Sequence, residues 1–205
     1  MEAATLLYFL GASVALTIAP GPDNLLVLTQ GITYGRKPAM VTALGMCCGI
    51  SVHTLAAAFG ISALFYSSVV AFNVIKYAGA VYLLYLAWKT IKEHAVINPI
   101  ADERPAAALF KRGFLMNVLN PKVAMFFLAF LPQFVTSDTQ GFPLRMLLLG
   151  FIFMVQAVII FCLIGYFSGG IGSFLRARRG IAKYFDWLTA GVFASLGVKL
   201  ALAER

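Results

Sequence analysis

Six long apolar runs, 5–29, 39–66, 71–91, 113–135, 144–167 and 185–202, alternate with short segments that carry most of the charge. Each run is near the ~20 residues that a helix needs to cross the hydrocarbon of a bilayer. None has the ~10-residue in-and-out alternation of a membrane β-barrel strand. The pattern therefore predicts an all-α polytopic membrane protein of six transmembrane helices, with residues 1–205 forming a single transmembrane domain. Two runs are interrupted by helix breakers, amides and one formal charge each. These are Pro20-Gly21-Pro22-Asp23-Asn24 in the first and Asn117-Val118-Leu119-Asn120-Pro121-Lys122 in the fourth.

The connecting segments alternate in charge. The first holds Arg36 and Lys37, the third Lys92, Arg104, Lys111 and Arg112, and the fifth Arg176, Arg178, Arg179 and Lys183. The second, around Ser67-Ser68, has no charge, and the fourth has only Asp138 and Arg145. Basic loops stay on the cytoplasmic side, which puts both termini outside. The segment 92–112, with Pro99 and Pro105, reads as a cytoplasmic linker between repeat one (1–91) and repeat two (113–205). Three spans per half is an odd number, so such repeats are inverted about a pseudo-two-fold axis in the membrane plane. Their features recur in order. The first helix is broken, the middle one carries GxxxG spacing (Gly45 and Gly49; Gly165 and Gly169), and the last an Ala-Gly step (Ala78-Gly79; Ala190-Gly191).

Composition sharpens the class. Of 205 residues, 61% are hydrophobic and 12% charged, with a mean hydropathy of +0.88, whereas a soluble domain carries about 25% charged residues. The net charge of +8 sits in loops beside apolar runs. There it reads as a topology signal facing anionic lipid, not as a nucleic-acid surface. Cys47, Cys48 and Cys162 lie in apolar runs without metal-ligand or CxxC spacing, and read as small buried hydrophobes. No metal or cofactor is called for, and no nucleophile–base pair or phosphate-binding loop suggests an enzyme. Glu2 stands where a signal peptide would carry basic residues, so the first run is expected to remain as a span.

A charge near the bilayer centre costs roughly 2.5–3.5 kcal/mol even on insertion scales, so Asp23 and Lys122 require a reason. Asp23 precedes Arg36 by 13 residues and Lys122 follows Arg112 by 10. At about 1.5 Å per residue, both lie roughly 15–20 Å from the basic face, near the midplane. Pro20 and Pro22 lack amide donors and bracket Gly21, which breaks the first helix; Pro121 marks the break in the fourth. A kink alone needs no carboxylate, whereas a cation, ammonium or proton site does. Three readings of Lys122 stay open: it snorkels to the cytoplasmic surface, it forms a structural ion pair with Asp23, or it is a substrate ligand. His53, also near midplane depth, is either a hydrogen-bonded packing residue or a proton relay. Lys76 is expected to snorkel, Asp186 and Trp187 to anchor the sixth run at the interface, and Tyr82, Tyr85 and Trp88 to form an aromatic belt. The GxxxG pairs either pack inside the chain or build a homo-oligomer.

From Pro20-Gly21-Pro22-Asp23-Asn24 onward the sequence strongly resembles the lysine/homoserine/threonine exporter group, the LysE/RhtB family. The likeness continues through Gly35-Arg36-Lys37, Gly45, Gly49 and His53, and Lys76-Tyr77-Ala78-Gly79-Ala80-Val81-Tyr82-Leu83. It resumes at Phe110-Lys111-Arg112-Gly113-Phe114 and runs through the second proline motif to Phe130-Leu131-Pro132-Gln133-Phe134. What the resemblance implies is a secondary active exporter of amino acids or close derivatives in the bacterial inner membrane, an antiporter driven by the proton-motive force. It also implies a three-helix duplication. Residue by residue, Pro20, Gly21, Pro22, Asp23 and Asn24 match the first motif, and Asn117, Asn120, Pro121 and Lys122 the second.

The expected mechanism is alternating access around a midplane site. Lys122 and the positive end of a half-helix hold the substrate carboxylate. Asp23, with Asn24, Asn117 and Asn120, holds the α-ammonium, and protons compete at Asp23 with His53 as a candidate relay. The partners are the amino-acid substrate, protons and the lipid bilayer. Rival readings are a metal or other cation exporter, which would want clustered His and Cys, a thiol-redox carrier, which would want cysteines paired between helices, and a non-transporting assembly factor.

Overall fold

The computed structural model describes residues 3–19, 21–61, 69–92, 105–135, 141–177 and 179–202. Pro20, the loop around Ser67-Ser68, Pro99, Arg104, Asp138 and Arg178 lie outside the described residues. Among those described there is no strand. The helices are α1 (Ala3–Ile18), α2 (Pro22–Tyr34), α3 (Arg36–Leu55), α4 (Val69–Lys92), α5 (Ala106–Val118), α6 (from Pro121–Met125), α7 (Phe142–Ala177) and α8 (Arg179–Leu202). α3 widens into a π turn over Ala56–Ile61. α6 does the same over Phe126–Phe130 and then tightens into a 3-10 turn over Leu131–Phe134.

Both expected breaks are present. α1 and α2 are inclined at 55°, and α5 and α6 at 46°. Gly21 is extended and leads into Pro22 at the first helical position of α2, where a missing N–H leaves no bond unmade. Asn120 caps α6, its Oδ1 accepting from the Lys122 N–H at 2.9 Å, with Pro121 again in the first turn. α2 ends at Gly35, whose φ of +91° suits a residue without a Cβ, and α3 starts at once.

Among the described residues, α3 with its π turn (Arg36–Gly60) and α7 (Phe142–Ile171) are each long and apolar enough to cross a membrane. Each bent pair passes the same test as one span. α4 and α8 have 24 residues each, about 36 Å of helix. Helix limits differ from the hydropathy limits. α5 begins at Ala106, inside the 92–112 segment read as a linker, because Ala106, Ala107, Ala108 and Leu109 are strong helix formers behind the extended Pro105, and Leu109 is buried. α7 runs beyond 167 to Ala177 and α8 starts at Arg179, since apolarity marks bilayer depth and not where a helix ends. Lys76 is buried and does not snorkel; its ammonium stands 4.5 Å from the Tyr77 ring centroid. Asp186 is buried while its neighbour Trp187 is exposed, so only the latter suits an interfacial anchor.

The glycines show how the helices run. Ala39 meets Gly165 and Thr54 meets Gly150, so α3 and α7 are antiparallel. Thr42 lies against Gly113, and Asn117 against Gly49, so α3 and α5 are parallel. Gly79 faces Leu200 while Gly197 faces Ala80 and Leu84, making α4 and α8 antiparallel. Gly31 meets Ser168, which brings the end of α2 to the end of α7. One end of the bundle therefore collects the starts of α3, α5 and α8 and the ends of α2, α4 and α7. The basic segments all adjoin these termini, so this is the basic end. The opposite end joins the start of α1 to the ends of α6 and α8: Tyr8 stacks on Phe134 (5.6 Å) and lies under the Lys199 ammonium (3.5 Å).

The outer surface is apolar. Along α7, Leu144, Leu148, Phe151, Val155, Ile159 and Leu163 are exposed at helical spacing, and along α4 so are Val74, Val81, Tyr85 and Trp88. A surface of this kind belongs in lipid, not water. On α4 the rings of Tyr82, Tyr85 and Trp88 follow one another at 6.1 Å, with the Lys92 ammonium 4.7 Å from Trp88, an aromatic ladder at the basic end.

Candidate functional site

The two broken helices meet. The last carbonyls of a helix have no partner within it, and at the break those of α1 are met by side chains. Lys122, at the start of α6 and 5% exposed, reaches across and donates from Nζ to the carbonyls of Leu16 and Ala19, both at 3.2 Å. Asn24 donates from Nδ2 toward the carbonyls of Thr17, Ile18 and Ala19 at 2.9–3.1 Å. A cation thus sits at the negative end of the α1 dipole. Gly21 makes room for it: a Cβ there would lie 3.1 Å from Nζ.

The break between α5 and α6 is also met by polar groups. The Asn117 carbonyl, at the end of α5, accepts from the Asn120 N–H at 2.9 Å and from His53 Nε2 at 3.1 Å, which fixes the proton on that ring nitrogen. His53 is buried with its ring 5.9 Å from that of Phe127. The Asn117 amide crosses to the first half, donating from Nδ2 to Asp23 Oδ2 at a long 3.5 Å. Asp23, 1% exposed, stands in the first turn of α2, where the helix dipole favours an anion.

Asp23, Asn117 and Lys122 line one small cavity with Leu16, Thr17, Ile50, Val123, Phe153 and Phe161. About 10 Å³ of it is open to the centre of a water molecule, room for one water and no amino acid. Several of the polar atoms around it have no hydrogen-bond partner: Asp23 Oδ1, Asn117 Oδ1 and, behind the wall, Asn120 Nδ2. The partners of the opposite ends of the two amides fix which atom is oxygen and which nitrogen. The site therefore holds unmatched acceptors at Asp23 and Asn117, which suit an ammonium, and the Lys122 ammonium, which suits a carboxylate. A larger hollow of about 620 Å³, lined by Ala194, Ser195, Val198, Lys199 and Leu202, lies on the outer face of α8, away from the buried charges.

Of the residues picked from the sequence, Asp23, Asn117 and Lys122 come together as wall, with Gly21 against Lys122. Asn24, Asn120 and His53 stand behind it and hold helix ends, and Pro22 and Pro121 open their helices. Asp23 and Lys122 share the cavity without a hydrogen bond between them, because the ammonium is turned to α1. The sequence pattern did not point to Thr17 and Gln156: Gln156 Nε2, on α7, donates to Thr17 Oγ1 at 2.9 Å, and its Oε1 is buried without a partner. A lone amide in the fifth apolar run was the available signal. The Gly45 and Gly49 pair is taken up against Phe110 and Asn117 of α5, and Gly165 against Ala39 and Val27, while Gly169 faces open space.

Residues 14–204 match the LysE type translocator family. A leucine efflux protein of Klebsiella pneumoniae is 32% identical over 209 residues, covering 97% of this chain and 95% of its own. One from Enterobacter sp. is 29% identical, covering 95% and 93%. The uncharacterized membrane protein YrhP of Bacillus subtilis is 27% identical, covering 97% and 99%. No solved structure matches the chain.

Proposed function

The chain belongs to the LysE type translocator family, and from that premise we propose that it exports neutral amino acids with apolar side chains, of the leucine kind, across the bacterial inner membrane in exchange for protons. The observation that carries this reading is the cavity. One acid with unmatched acceptors and one base suit the ammonium and carboxylate of a single zwitterion, and apart from Thr17 the rest of the wall, Leu16, Ile50, Val123, Phe153 and Phe161, is apolar and suits its side chain. Among the described residues no third charge lines it to pair with a basic side chain. The two relatives described as leucine efflux proteins agree with that chemistry.

In this reading six spans form two inverted repeats, 1–91 and 113–205, and the half-helix breaks meet at the midplane. Lys122 passes from the α1 carbonyls to the substrate carboxylate when substrate arrives. Asp23 and Asn117 take the ammonium, and a proton takes its place at Asp23 on the return. Access alternates. Toward the basic end the cavity is shut by the α2–α7 contact at Gly31, Gly165 and Ser168. Toward the other end it is shut by Phe126, Phe130, Phe134, Phe9 and Phe153, whose rings meet at 5.0–5.3 Å. The closed cavity is then the occluded state between two openings. Of the four GxxxG glycines, Gly45, Gly49 and Gly165 are occupied within the chain, which leaves Gly169 for an oligomer.

Counterflow in proteoliposomes tests the proposal. Labelled leucine should exchange, faster with an imposed pH gradient, while lysine should not, and Asp23→Asn or Lys122→Gln should abolish the flux. Normal leucine flux in both variants, from verified folded protein, would overturn the site. Preference for lysine would overturn the substrate class.

A further inference from the structure

We propose that Gln30 forms a second polar subsite for the amino-acid zwitterion, on the basic-end side of the central cavity. The proposal rests on the export reading above and extends it to the path by which solute reaches the site.

Three observations converge on Gln30. It is 1% exposed, and both its Oε1 and its Nε2 are buried without a hydrogen-bond partner. An amide with both ends unmatched is rare in a packed interior, because a buried polar group is expensive unless bonded. It lies seven residues after Asp23, two turns along α2 and on the same face. At about 1.5 Å per residue it is roughly 10 Å nearer the basic end. It also lies immediately inside the closure there: at the next residue, Gly31, a Cβ would strike Ser168 Oγ of α7.

A solute crossing from the basic end to Asp23 must part α2 from α7 near Gly31 and then pass Gln30. An amide suits both ends of a zwitterion, donating from Nε2 to the carboxylate and accepting at Oε1 from the ammonium. It carries no charge of its own to hold the solute back. The unmatched amide makes the closed basic end less favourable than one in which Gln30 meets water or solute, and so helps that end to open. A residue kept only for packing at this position would be apolar.

The test uses the full-length protein in liposomes. Gln30→Met keeps the length and removes the polar groups. It should unfold at the same temperature as the parent or higher, yet lower leucine counterflow about tenfold, the loss of one hydrogen bond to a charged group. In parallel, Gln30→Cys in a background lacking Cys47, Cys48 and Cys162 should react with a water-soluble thiol reagent, and leucine should protect it. Full flux in Gln30→Met beside an active parent overturns the subsite alone, as does a fall in flux accompanied by a fall in unfolding temperature, which marks a packing role. A Gln30→Cys variant inert to the reagent, or labelled equally with and without leucine, also overturns it. No flux of any amino acid in the parent overturns the export reading itself.

Discussion

Lys122 does two jobs that pull in different directions. Its ammonium closes the broken end of α1, at Leu16 and Ala19, and it balances Asp23 across the cavity. Lys122→Gln removes both. Breaking a buried charge pair by deleting one member typically costs about 3–5 kcal/mol, so this variant should lose stability as well as transport. Asp23→Asn preserves shape, can keep the bond from Asn117 and leaves the Lys122 ammonium on the α1 carbonyls, so it should cost less than Lys122→Gln while still abolishing flux. The double variant should be more stable than the sum of the two single losses predicts, by about 0.5–3 kcal/mol, because neither buried charge is left alone. Thermal unfolding of the four proteins in detergent measures this, and strict additivity would mean that the two charges do not feel each other. At this scale the sequence was informative where a residue was costly. A carboxylate and an ammonium in apolar runs declare themselves, and so do prolines. Asn24 and Asn120 were visible as polar residues, but not as helix caps, since capping depends on where a bent chain leaves its carbonyls. Thr17 and Gln156 are 139 residues apart and bonded, a relation that no local pattern encodes.

At the scale of elements, the close approach of α3 to α5 positions Asn117 and His53. Both sides of that contact rely on glycine: a Cβ on Gly45 would strike the Phe110 carbonyl, and one on Gly113 the Thr42 carbonyl. These are backbone atoms, which cannot swing aside as a side chain does. Gly45→Ala and Gly113→Ala should therefore force the helices apart, at about 1–3 kcal/mol each, and should reduce leucine flux by shifting Asn117 away from Asp23. Gly191 is the control. It lies within α8, where an added methyl group would meet nothing within 4 Å, and alanine there should be neutral or stabilising by up to about 1 kcal/mol. Unfolding temperatures and counterflow rates of the three variants decide the matter, and equal behaviour of all three would remove the role given to the α3–α5 contact. The GxxxG spacing announced a close approach but not its partner. Helix type and the two breaks were legible because proline and apolar period act locally. The start of α5 at Ala106 was not, because a helix may extend beyond the apolar stretch that embeds it.

For the whole molecule, the packing directions carry an argument about topology that neither charge nor hydropathy makes alone. Parallel α3 and α5, antiparallel α3 and α7, and antiparallel α4 and α8 bring every basic segment to one end of the bundle. Tyr8 meets Phe134 and Lys199 at the other, so the described start of α1 and end of α8 share a side. The positive-inside rule then predicts that the basic end faces the cytoplasm and both termini face outward. Alkaline phosphatase, active only outside the cytoplasm, should work when fused to the C-terminus, and a fluorescent protein that matures only inside should stay dark there. The same reporters inserted in the segment between α4 and α5 should give the opposite pair of results. A bright C-terminal fluorescent fusion would put the basic end outside or change the number of crossings. Either outcome bears directly on transport, because export requires solute to arrive from the cytoplasm. With the basic end inside, that solute meets the α2–α7 closure and Gln30 before Asp23, and leaves past the phenylalanines. With the basic end outside, the order reverses and the same helices would describe uptake.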